Sequence, residues 1–185
     1  MSATPAVGIP SAINLFDQRV DRALDQLRGR PFADRFFSAA TRSGEFSAIW
    51  HVAGLARGVA TGRVDQTVAL AVGIGAESLI VNQGIKRIFR RARPTTAGDE
   101  RFALRTPMTS SFPSGHASAA AFAAITLIRW HGVRSAPLWG TLAAAVAISR
   151  PYVRVHHASD VVGGVVVGAV LARLARQIYR RLEIE

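Results

Sequence analysis

The chain changes character near residue 43. Before it, apolar positions are sparse and periodic; after it, they run almost without interruption between short polar clusters. Across 11–28, Ile13, Phe16, Val20, Leu24 and Leu27 recur at helical spacing, while Asp17, Arg19, Asp21, Arg22 and Asp25 take other faces. The pattern predicts an amphipathic helix that is too charged to cross a bilayer. Two placements suit it: flat on a membrane surface, with Phe32, Phe36 and Phe37 after Pro31 at the interface, or packed on the rest of the domain.

Five further segments are helical and mostly apolar: 44–61, 64–89, 116–130, 137–149 and 160–179. A membrane span needs about 20 residues, and the third and fourth segments are shorter. Their other features favour lipid. Polar residues gather at segment ends, and neither 116–128 nor 138–148 has the polar face of a soluble surface helix. Small residues such as Ala119 to Ala121, Ala143 to Ala145, Gly163, Gly164 and Gly168 permit close helix contacts. Trp50, Trp130, Trp139 and Tyr179 lie near segment ends, as an interfacial belt requires. The expected architecture is an all-α integral membrane helical bundle, with about five transmembrane helices plus the N-terminal amphipathic helix. Its parts are an N-terminal segment, 1–43, and a membrane domain, 44–185.

Composition narrows the partners. A formal charge of +11 suits nucleic acid, an anionic membrane surface or a phosphorylated substrate. The arginines are spread through the chain without the aromatic interleaving that stacks bases, so nucleic acid is not expected. Cysteine is absent, which excludes disulfides and thiolate metal sites. Residues 1–10 lack a basic stretch leading into an apolar run, so membrane entry is expected through an uncleaved span.

Three polar clusters carry candidate chemistry. In Ser111-Phe112-Pro113-Ser114-Gly115-His116, Pro113 and Gly115 break the chain, Ser114 can cap, and the next helix starts with unpaired amides. Those amides and the helix dipole would hold a phosphate beside His116; a capped helix with an incidental histidine would read similarly. Upstream, Lys86 is followed after six residues by Arg93-Pro94, and downstream Ser149-Arg150 precedes His156 and Asp160. His157 is also within helical reach of Asp160. Taken alone, His116, His156, His157 and Asp160 also resemble a divalent-metal set, although the surrounding cations would repel a metal.

In order and spacing, the clusters resemble the signature of the type 2 phosphatidic acid phosphatase and vanadium haloperoxidase superfamily: K-x6-RP, then PSGH, then SR-x5-H-x3-D. Every fixed position is present, and Lys86, the only lysine in the chain, falls where that family has one. The likeness extends over about 44–170. It implies metal-independent hydrolysis of a terminal phosphate on a lipid phosphate or pyrophosphate, polyprenyl or glycerolipid, with no cofactor. His156 is then the nucleophile, Asp160 its orienting acid and His116 the general acid and base. Lys86, Arg93, Ser114, Gly115 and Arg150 would bind the phosphate. Bacterial members of the family often have six spans, where this pattern has five plus the amphipathic helix. A soluble acid phosphatase or a vanadate-dependent haloperoxidase of the same superfamily, or a catalytically silent protein that binds anionic lipids, are the rival readings.

Threading the five segments as spans puts all three clusters on one side, with loop 95–112, including Gly98 and Pro107, placed to cover them. Arg57, Arg63, Arg129, Arg134, Arg173, Arg176, Arg180 and Arg181 fall on the other. By the positive-inside rule that side is cytoplasmic, which puts the site on the outward face of a bacterial-type cell membrane. Glu77, Asn82 and Gln83 inside the second segment are read as structural. Arg87, Arg90, Arg91 and Arg154 are read as solvated and facing headgroups, with substrate contact as the alternative, and His51 and His131 as interfacial or structural.

Overall fold

A computed structural model describes residues 11–95, 102 and 109–184. All regular structure among them is helical: α1 (Ser11–Asp25), α2 (Pro31–Ser43), α3 (Ala48–Thr61), α4 (Val64–Ile88), α5 (Gly115–His131), α6 (Ala136–Tyr152) and α7 (Ala158–Arg181). The five apolar segments return as α3 to α7 with boundaries shifted by a few residues. Helix α2 was not anticipated. Phe32, Phe36 and Phe37 stand at helical spacing within it, and Pro31 at its first turn supplies the preset φ that starts it.

The Ala-rich α5 is the centre. Ala117, Ala120, Ala123 and Leu127 are fully buried, because α7, α6 and α4 all pack on it. The missing polar face of this segment therefore reflects enclosure by other helices. Trp50, Leu70, Ile74, Phe122 and Val146 complete the core around it. On the outside, Val52, Leu55, Val59, Val68, Val72, Val162, Val166 and Leu174 are exposed, an apolar exterior that suits lipid. By length and composition two described helices are long and apolar enough to cross a membrane, α4 with 25 residues and α7 with 24. Helices α3, α5 and α6 have 14, 17 and 17 residues.

Helix α1 packs against α6 and α7. Its buried stripe is Asp17, Leu24 and Arg28 with Val20 and Leu27 half-buried, whereas Ile13 and Phe16 remain exposed. Leu24 joins Phe102, Tyr152, Val153 and Val155 in a small second core, and Phe37 of α2 stacks on Tyr152 at 4.3 Å. Arg28 closes this junction by donating to the carbonyls of Tyr152 and Pro151 at 2.9 and 2.8 Å while Asp21 and Asp25 balance its charge. Those carbonyls belong to the last turn of α6, beyond the reach of the i→i+4 ladder; the Pro151 carbonyl also accepts from the Arg154 amide at 3.1 Å.

Candidate active site

The geometry of the site starts from a helix crossing. Gly164 and Gly168 of α7, one turn apart, face α5 so closely that a β-carbon would overlap the Ser114 carbonyl at the first and the Ser118 backbone at the second. This contact lays the N-termini of α5 and α7 side by side, and the Ser114 amide donates to the Asp160 carbonyl at 2.9 Å. Ser114 is the residue before α5, extended at φ −70° and ψ 114°, and its Oγ accepts from the Ala117 amide at 3.5 Å. The first amides of α5 are thus gathered beside Asp160.

Lys86 reaches the same place through an irregularity in α4. In an unbroken α-helix a residue nine positions after Glu77 points to roughly the opposite side. The wider π turn at Ile80–Ile85 takes up an additional residue and swings Lys86 back toward α5. A β-carbon on Gly115 would lie 3.3 Å from Asn82 Oδ1 and 3.7 Å from Lys86 Nζ, so both side chains flank the start of α5.

His156 lies in the link between α6 and α7 and is 3% exposed. Its Nδ1 is 3.6 Å from Asp160 Oδ2 and 3.5 Å from Ser111 Oγ, which donates to that same carboxylate oxygen at 2.5 Å. On the other side of the ring, Arg93 Nη1 is 3.2 Å from Nε2 and also donates to the Val155 carbonyl at 2.7 Å. A guanidinium only donates, so Nε2 presents its lone pair and the proton belongs on Nδ1, facing Asp160. Burial above all, aided by Arg150 and Arg93 and opposed by Asp160, pushes the His156 ring down to about 3. Burial likewise lowers Arg93.

His116, in the first turn of α5, packs so tightly on Gly44 that a β-carbon there would touch its ring. Its Nε2 is buried without a partner, and Arg150, His156, Lys86 and Arg93 are all within electrostatic range. Arg150 donates to Thr41 Oγ1 of α2 at 2.5 Å. The fold therefore brings Lys86, Arg93, Ser114, Gly115, His116, Arg150, His156 and Asp160 to one end of the bundle. His157 contributes its backbone N–H to Asp160 at 2.8 Å. Among the described residues no three His, Cys, Asp or Glu side chains form a metal-ligating group. Most of loop 95–112, including Gly98 and Pro107, lies outside the described residues.

Several neighbours escaped the sequence reading. Ser111, Thr41 and Asn82 were not assigned to the site. Arg91 and Arg154, expected to face headgroups, pair with carboxylates of the protein: Arg91 lies between Asp17 of α1 and Asp160 of α7, and Arg154 pairs at the surface with Asp25 of α1. Asp17, which the sequence pattern set on another face of α1, falls instead on the same helical stripe as Val20 and Leu24 and is buried. Glu77 is buried with Oε1 unpartnered, and His131 approaches the Leu127 carbonyl at 3.0 Å.

A buried histidine with its carboxylate and three cations around a helix start can hold an anion such as a phosphate. Solved structures share the fold. A transmembrane PAP2-type phosphatidylglycerolphosphate phosphatase from Bacillus subtilis superposes with a TM-score of 0.71 at 25% identity, covering 92% of this chain and 88% of that one. Aquifex aeolicus LpxE gives 0.69 at 21% identity over 88% and 95%. A sequence model of the PAP2 superfamily matches residues 66–184, and the chain belongs to that superfamily. Decaprenylphosphoryl-5-phosphoribose phosphatase of Mycolicibacterium smegmatis is 38% identical over 142 residues, which cover 75% of this chain and 74% of that protein. The putative undecaprenyl-diphosphatase YbjG of Escherichia coli is 30% identical over 115 residues, 62% of this chain and 56% of that protein. The chain is accordingly a lipid phosphate hydrolase.

Proposed function

We propose that this protein removes the terminal phosphate of a polyprenyl-linked phosphate or pyrophosphate through a phosphohistidine on His156. The observation that carries the mechanism is the polarity of the His156 ring, with Nδ1 toward Asp160 and Nε2 toward Arg93. The polyprenyl preference rests on the two curated relatives above, both named for polyprenyl substrates.

In this reading the phosphate enters between Arg93, Lys86, Arg150 and the first amides of α5, and Arg93 transfers its donor from Nε2 to a phosphate oxygen. The three cations and the helix dipole neutralise charge on the equatorial oxygens. His156 Nε2 then forms the N–P bond as the P–O bond to the lipid breaks. The leaving oxygen takes its proton from His116, and Asp160 steadies the imidazolium. Water next attacks phosphorus, giving its proton to His116 while the N–P bond breaks and inorganic phosphate leaves. All of these steps use groups of the protein and water, so turnover is expected without a cofactor.

Five of the helices, α3 to α7, cross the membrane in this reading, with α1 and α2 on the side of the site. Arg57, Arg63, Arg129, Arg134, Arg173, Arg176, Arg180 and Arg181 follow the other ends of these helices, which favours an outward-facing site. The test is phosphate release by the detergent-purified protein, with and without EDTA. Decaprenylphosphoryl-5-phosphoribose, undecaprenyl diphosphate, phosphatidic acid and a water-soluble phenyl phosphate are the substrates. Polyprenyl turnover that survives EDTA, with an acid-labile phosphoenzyme absent in His156→Ala, is expected. Faster turnover of the soluble ester, or activity lost with EDTA, would overturn the reading.

A further inference from the structure

Helix α1 lies outside residues 66–184, where the family model matches, yet one of its side chains stands one residue away from the nucleophile's carboxylate. Arg91 bridges the two. Its Nη1 donates to Asp160 Oδ1 at 2.5 Å and its Nη2 to Asp17 Oδ2 at 2.6 Å. The bridge is cross-braced by Ser159: the Ser159 amide donates to Asp17 Oδ1 and its hydroxyl to Asp17 Oδ2, both at 2.8 Å, and Arg91 Nη1 reaches the same hydroxyl at 2.7 Å. Asp17 and Asp160 are buried, and the Arg91 side chain is 13% exposed.

We infer that Asp17 and Arg91 are positioning residues for the reaction: together they hold the Asp160 carboxylate in the rotamer that serves His156. The geometry supplies the reason. Asp160 Oδ2 is taken by Ser111 and the His157 amide, and it is this oxygen that faces His156. Rotation of the carboxylate would exchange its two oxygens, and Arg91, bound to Oδ1, opposes it. Arg91 has its own freedom removed by Asp17, because a guanidinium gripped at both terminal nitrogens cannot swing. Asp17 in turn is fixed as a cap for the amide of Ser159 in the first turn of α7, supplied from another helix. A single buried cation between two carboxylates also keeps the cluster from carrying two uncompensated negative charges. The amphipathic helix thereby becomes a working part of the site.

This inference rests on the phosphatase reading, and its test separates the two. The full-length protein in detergent is assayed for kcat and KM on decaprenylphosphoryl-5-phosphoribose, undecaprenyl diphosphate and phosphatidic acid, and its thermal midpoint is recorded. Arg91→Ala and Asp17→Asn are expected to lower kcat by roughly 10- to 100-fold, the size of one charge-assisted hydrogen bond felt in the transition state, with KM within about threefold. Asp17→Glu, which keeps the charge, recovers most of the loss. The Asp17→Asn/Arg91→Ala double variant is no slower than the slower single variant, since the two act through one chain of contacts. Arg28→Ala is the control: it loosens the other end of α1, and is expected to lower the thermal midpoint while kcat stays within about threefold. The proposal is overturned by kcat within threefold of the parent in both single variants, by a loss carried in KM, or by an equal kcat loss in Arg28→Ala. A parent protein inactive on all three lipids would overturn the phosphatase reading, and this proposal with it.

Discussion

The Ser111 hydroxyl donates to Asp160 Oδ2 at 2.5 Å and stands 3.5 Å from His156 Nδ1, so the serine and the histidine share one carboxylate oxygen. Hydrogen bonds to a charged partner contribute about 1.5–3 kcal/mol, which corresponds to roughly a 10- to 100-fold change in rate if felt fully in the transition state. Ser111→Ala is expected to lower kcat about tenfold, and Asp160→Asn to lower it by about 10³-fold or more, because the amide no longer stabilises the imidazolium. Steady-state phosphate release measures both. A serine variant as impaired as the aspartate variant would contradict this division of roles.

The depressed titration of His156 has a definite sign. The folded ring titrates near 3, below the ordinary value of 6.5, so the unfolded chain takes up the proton first as pH falls. The stability contributed by His156 is fully present above about pH 6.5 and is lost as pH falls toward about 3. Thermal midpoints between pH 7 and pH 4 should therefore fall more steeply in the parent than in His156→Gln. In catalysis the same neutral ring places no acid limb near pH 6.5 on kcat/KM from the nucleophile. Parallel slopes for the two proteins would refute the depressed value.

Helix contact is the vulnerable point of the scaffold. A β-carbon on Gly168 would overlap the backbone of Ser118, and backbone cannot step aside as a flexible side chain can. Gly168→Ala is expected to cost about 1–3 kcal/mol by overpacking, and to displace Asp160 relative to Ser114. Thermal unfolding in detergent should show a lower midpoint for this variant and little change for Gly75→Ala, where a β-carbon meets nothing within 4 Å. Equal midpoints for both glycine variants would remove the close crossing as the element that assembles the site.

Thr41 of α2 would extend the proposed phosphate cradle through Arg150. It is fully buried and its hydroxyl accepts from Arg150 Nη1, whose neighbouring Nε has no partner. Thr41→Val keeps the shape and removes the acceptor. Lost aim of Arg150 should reduce kcat/KM about tenfold with little loss of fold. Unchanged kcat/KM would show that Arg150 is positioned without α2.

The separation between what was readable and what was not follows from the range of each interaction. Hydrophobic period and segment ends are local properties, and they suffice to place α1 and α3 to α7 and to predict that Lys86, Ser114 and His156 come to one end. Motif spacing singles out Lys86, Arg93, Ser114, Gly115, His116, Arg150, His156 and Asp160, the residues proposed to handle one phosphate, because such a set leaves type and order in the chain even when its members are distant in it. Asp17, Thr41 and Arg91 leave no such trace. Their partners lie 142, 109 and 69 residues away, and only the packing of α1 and α2 across the end of the bundle makes a charged stripe and a lone threonine into neighbours of the site. The glycines of α7 are visible in the sequence as small residues; that they press on Ser114 and Ser118 is decided by which helix lies opposite. Local chemistry is written along the chain, whereas the contacts that aim it depend on backbone approaches available only once the helices have crossed.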